Sequence, residues 1–114
     1  MPKIDLGRKK LLQQNLDKIL IALKEGYNPD EVILFGSLAS GAVTSTSDLD
    51  ILIVKRTDKK FFERIKEVVR LCDYNVGVDF LVYTPQELQE ESKTNHFVKD
   101  EILTKGKVIY RAAA

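Results

Sequence analysis

The sequence is poor in the features that mark several common protein classes. Its 114 residues include one cysteine, Cys72, which excludes an intrachain disulfide and a cysteine-cluster zinc site and, among Val68, Val69 and Leu71, reads as a small core residue. The one histidine, His96, falls near an expected helix start and reads as a surface residue rather than a base. No apolar run approaches the roughly 20 residues a membrane-spanning helix needs, and the N-terminus lacks the apolar centre of a secretory signal, so a cytoplasmic protein is expected. Charge of one sign is lacking too: 18 lysines and arginines face 17 aspartates and glutamates, for a net charge of +1. With that balance the clusters Arg8-Lys9-Lys10 and Lys59-Lys60 read as solvated helix faces, and nothing points to a nucleic-acid partner. Without repeats, linkers or low-complexity stretches, a single domain over residues 1–114 is expected.

What is present is a succession of helix-period and strand-period segments. Leu12, Leu16, Ile19, Leu20 and Leu23 recur at three- and four-residue steps, predicting an amphipathic helix from about Gly7 to Glu25, stopped by Gly26. After the turn Asn28-Pro29-Asp30, the apolar run Val32–Phe35 predicts a buried strand ending at Gly36. Residues 36–47 are small and hydroxyl-bearing, a working loop with room for one helical turn, and a second strand is expected from Asp48 to Lys55. Thr57 or Asp58 can cap a helix to about Asp73, with Phe61, Phe62, Ile65, Val68, Val69 and Cys72 inward. A third strand is expected over Val76–Tyr83, with Val78, Phe80 and Val82 on one face. Thr84, Pro85 and Glu87 form a helix start of the capping-box kind, carrying a helix to about Ser92. Asn95 begins a further short helix through Phe97, Val98, Ile102 and Leu103, and Gly106 precedes a last strand, Lys107–Arg111.

The chemistry concentrates in Gly36-Ser37, ten residues, Asp48-Leu49-Asp50, and then Asp79 on the third strand. Because strand side chains alternate, Asp48 and Asp50 share one face. Two adjacent carboxylates repel, and a shared proton or a cation between them resolves the repulsion. Magnesium prefers hard oxygen ligands, takes one or two protein carboxylates, and leaves its other positions to phosphates and water. A second ion about 3.5–4 Å away would share these acids, with Asp79 completing its ligands. Gly36 leaves room for a phosphate to approach the backbone, and N–H groups after Ser37 would form an anion site if a helical turn starts there. Ser47 is a further candidate nucleotide contact; the hydroxyls of Ser45 and Thr46 read as satisfying their own loop.

Gly36-Ser37, the ten-residue gap and Asp48-x-Asp50 resemble the signature of the minimal nucleotidyltransferases of the DNA polymerase beta-like superfamily, and Asp79 falls where that family places its third acid. The resemblance runs from about Val32 to Val82. It implies an α+β fold of α/β type, a mixed sheet of about four strands flanked by helices. It also implies two Mg2+ ions at Asp48, Asp50 and Asp79, and transfer of a nucleoside monophosphate, AMP from ATP or another triphosphate's equivalent, to an acceptor hydroxyl. Some relatives are antitoxins that modify a helical HEPN partner protein, so a protein acceptor is expected here, with homo-oligomers left open. One departure stands out: the family's Gly-Ser-x-x-Arg-Gly pattern reads Gly36-Ser37-Leu38-Ala39-Ser40-Gly41, without the basic residue. An antitoxin or regulatory binding module with weak or absent catalysis is therefore the alternative.

Overall fold

The computed structural model describes residues 3–113. Helix α1 (Leu6–Gly26) starts at Asp5, whose carboxylate accepts the Arg8 N–H, and buries Leu12, Leu16, Ile19 and Leu23 along one stripe. Asn28, at φ 58°, reverses the chain into strand β1 (Glu31–Phe35). A single turn, α2 (Ser37–Ser40), interrupts the loop before strand β2 (Leu49–Val54). Helix α3 (Phe61–Leu71), strand β3 (Val78–Tyr83), helix α4 (Pro85–Thr94), the π-helical α5 (Phe97–Thr104) and strand β4 (Lys107–Arg111) follow.

The strands form one sheet in the order β3-β2-β1-β4. β1 is antiparallel to both β2 and β4, whereas β2 and β3 run parallel, joined by the crossover through α3. The sheet is thus mixed, and the α+β arrangement matches the expected one. Side-chain alternation divides the apolar residues between two layers. Val32, Leu34, Leu49, Ile51, Ile53, Phe80 and Val82 join the α1 and α3 residues, while Ile33, Phe35, Leu52 and Val54 meet Val98 and Ile102 of α5. Each fully buried aliphatic side chain contributes about 1.5–3 kcal/mol relative to exposure, so the central strand β2, buried on both faces, is the main apolar anchor.

The third helix differs most from its expected form. It begins at Phe61 with Lys60 as N-cap, after Thr57 has turned its hydroxyl back to the Lys59 N–H. Phe62 and Val69 lie 74% and 43% exposed, outside the inward stripe expected for them, whereas Val68 and Cys72 are buried as anticipated. The place of an apolar residue on that stripe is taken by Arg64, 6% exposed. It is held by the Lys59 and Val82 carbonyls at 2.7 and 3.2 Å and by Glu87 at 2.6 Å. The bond from Arg64 is the chief reason the Glu87 carboxyl stays below its usual range. Glu87 completes the capping box with Thr84 at the same time, so one carboxylate joins α3 to the start of α4. Helix α4 then runs two residues past Ser92. Phe97 and Leu103, 52% and 41% exposed, flank the stripe that Val98 and Ile102 bury on α5.

Candidate active site

The sequence-predicted residues gather at one end of the sheet, where β1 finishes and β2 and β3 begin. In the ladder Asp50 is paired with Phe35 on one side and with Asp79 on the other. The parallel register therefore sets two carboxylates side by side on neighbouring strands. Burial is the largest influence on Asp50, followed by the charge of Asp79, a side-chain hydrogen bond with it and the charge of Asp48; together they raise its carboxyl to about 6. Below about pH 6 a proton on Asp50 relieves the repulsion.

Gly36 has a steric role that its place in the sequence did not show. Its φ of 78° and ψ of −155° lie in a region open essentially to glycine alone, and a Cβ there would collide with Asp50 Oδ2. The missing side chain makes room for the carboxylate. The chain then enters α2 directly, and the first N–H groups of this turn have no partner within the helix. Ser37 is half-buried there. Ser40 closes the far side of the same turn: its hydroxyl donates to the Ser37 carbonyl at 3.2 Å and accepts from the Ala42 N–H at 3.4 Å.

Asp48 stands one residue before β2, not within it, and points elsewhere. Its Oδ1 lies 3.3 Å from Arg8 Nη2, an ion pair between a side chain 23% exposed and one 51% exposed. Ser47 serves its own loop, its hydroxyl accepting the Thr44 N–H at 2.8 Å and its carbonyl accepting from Arg8 Nε at 2.9 Å. As a result, among the described residues no group of three His, Cys, Asp or Glu side chains is gathered closely enough to hold a metal ion. Asp50 and Asp79 are adjacent, Asp48 is near enough to act on Asp50 through its charge, and the third carboxylate is engaged by an arginine. The donor set suits a hard divalent cation, whose charge would offset the repulsion between the acids.

Two residues that sequence reading passed over help to hold this end together. Asn15, 2% exposed within α1, donates to Asn75 Oδ1 and accepts the Asn75 N–H, both at 2.9 Å, fixing the turn that leads into Gly77 and Asp79. A polar residue on the inward stripe of α1 was the available signal, since a buried amide requires partners. Arg8 is the other, and its basic cluster concealed it by resembling an ordinary solvated face.

Comparison with known proteins agrees with this geometry. The family described as Polymerase beta, Nucleotidyltransferase matches residues 14–113. Two proteins of Methanocaldococcus jannaschii named "putative protein adenylyltransferase" are similar: one is 31% identical, covering 89% of this chain and 73% of its own length. The other is 30% identical, covering 86% of this chain and 97% of its own. Among solved structures, a "putative nucleotidyltransferase" from Sulfolobus solfataricus shares the fold with a TM-score of 0.67 at 23% identity, over 97% of this chain and 90% of that one. A toxin-antitoxin structure with AMP-PNP aligns with a TM-score of 0.54 at 18% identity, over 86% and 74%. With the family match spanning nearly the whole chain and the acids and glycine turn at one sheet end, this chain belongs to the polymerase beta nucleotidyltransferase family, whose members are transferases.

Proposed function

We propose that the chain transfers AMP from ATP to a hydroxyl of a protein partner, with Asp48, Asp50 and Asp79 as ligands for Mg2+. The observation that carries this reading is the in-register pairing of Asp50 with Asp79 beside the Gly36-Ser37 turn. Bound magnesium would neutralise the triphosphate and lower the pKa of the acceptor hydroxyl. Asp50 would help hold the metal at this end of the site, and Ser37 with the first N–H groups of α2 would orient the triphosphate. The acceptor oxygen forms its bond to the α-phosphorus as the bond from that phosphorus to the bridging oxygen breaks, releasing pyrophosphate. Asp79, exposed at its strand position, takes the acceptor's proton.

A protein acceptor is favoured by the names of the two archaeal relatives and by the toxin-antitoxin structure with AMP-PNP; a helical HEPN partner is what the motif resemblance implies. The test is incubation with α-labelled ATP, Mg2+ and the candidate partner, beside Asp50→Asn. Label on the partner that disappears with the variant supports transfer. A second reading, a binding module that masks its partner without chemistry, is favoured by Ser40, whose hydroxyl is spent inside its own turn and supplies no charge. Neutralisation of the partner by Asp50→Asn, with no label transferred by either protein, would establish it in place of transfer.

A further inference from the structure

Arg8 lies forty residues before Asp48 in sequence, yet meets it in space. Asp5 caps α1 by accepting the Arg8 N–H at 2.9 Å, and its own N–H donates to the Val43 carbonyl at 2.8 Å, so the capped helix start is fastened to the loop. From that base the guanidinium makes two unequal bonds. Nε to the Ser47 carbonyl, at 2.9 Å and partly buried, fixes it to a backbone acceptor that cannot turn away. Nη2 to Asp48 Oδ1, at 3.3 Å and exposed, reaches a carboxylate free to rotate. Gly77 provides the space for that carboxylate: a Cβ there would come within 2.6 Å of both Cγ and Oδ1 of Asp48. Asp48 is therefore seated over a glycine and against an arginine, and among the described residues no three-acid group is gathered closely enough to hold a metal ion.

We propose that Arg8 is a positioning residue that exchanges partners: it holds Asp48 aside in the free protein and turns to the phosphates when nucleotide and metal enter. This inference rests on the nucleotidyl-transfer reading above. With a cation held by Asp50 and Asp79, the Asp48 carboxylate would turn from Nη2 to join them. The guanidinium stays anchored through Nε, with Nη groups freed beside the incoming triphosphate, and a planar fork of donors matches phosphate oxygens. Arg8 thus opposes binding of the bare metal and favours binding of the metal with its nucleotide. An arginine that only braced the loop would support both.

The experiment measures Mn2+ alone by electron paramagnetic resonance, and Mg2+ with α,β-methylene-ATP by calorimetry, for the wild type and Arg8→Gln. The methylene bridge resists cleavage at the bond that transfer would break. Arg8→Gln is expected to bind Mn2+ about two- to five-fold more tightly, the scale of a half-exposed ion pair. It is expected to bind the nucleotide about ten- to a hundred-fold more weakly, the scale of a lost charged hydrogen bond. Arg8→Lys, which keeps the charge but not the fork, should move both readouts in the same directions by less, and carries the test if the glutamine variant does not fold. Affinities that fall together, or that both stay unchanged, overturn the exchange and leave the transfer reading standing. A wild type that binds neither ligand overturns both.

Discussion

In the middle of the sheet, Ile51, Leu52 and Ile53 are fully buried between α1 with α3 on one face and α5 on the other. At the end of the same strands, Asp50 and Asp79 repel each other, Gly36 occupies a backbone region forbidden to other residues, and Asp48 hangs on a half-exposed ion pair. The two regions are a few residues apart along β2. The first lowers the free energy of the fold with every side chain, whereas the second holds groups that would be more stable apart. Such an end persists only because the middle over-determines the strand positions. The contrast shows where stability and chemistry have been separated in a small chain.

Substitution at Gly36 should have the largest effect, because it breaks the separation outright. Gly36→Ala adds both a forbidden backbone conformation and a collision with Asp50, and is expected to cost about 3 kcal/mol in urea unfolding and to abolish transfer. Arg64→Ala tests the middle instead. It leaves the Val82 carbonyl and Glu87 without their donor and is expected to cost about 3 kcal/mol, with both the capping box and the α3 packing loosened. Asn15→Ala should cost about 2 kcal/mol through the unpaired Asn75 groups, and reduce nucleotide affinity only through the displaced β3 turn.

The smallest effect sharpens the comparison through pH. The folded Asp50 carboxyl is raised to about 6 from 3.8, so in metal-free solution the native state keeps a proton that the unfolded chain loses. Stability from this group is therefore greatest below pH 4 and falls as pH rises toward 6. Asp50→Asn should remove that fall and raise the melting temperature at pH 7.5 by about 3–5 °C. That shift corresponds to about 1 kcal/mol after allowing for solvent screening of a partly exposed group. A variant that melts at or below the wild type in metal-free buffer would show that the acids do not strain one another.

Much of this was legible in one dimension. The periodic leucines of α1, the capping box at Thr84 and the last strand, Lys107–Arg111, are local patterns, and the structure reproduces them. Gly36, Ser37, Asp48, Asp50 and Asp79 were picked out by type and spacing. Their contacts depend on distance, however: the glycine makes room for the Asp50 carboxylate, and one acid of the three faces an arginine. Phe62 and Val69 were misread because apolar character alone does not distinguish the inward stripe of a short helix from its flank, and Arg64 was missed because a buried charge is recognisable only by its partners.

The sequence by itself determined the order of elements, the mixed helix-and-strand class and the set of residues able to do chemistry, because periodicity, caps and side-chain type are properties of neighbours along the chain. Only the tertiary structure decided that β2 and β3 run parallel in the register that opposes Asp50 to Asp79, and that Arg8 reaches Asp48 across forty residues. Pairing register and charge contact depend on where the crossover through α3 and the start of α1 come to rest, and that is set by packing of the whole core.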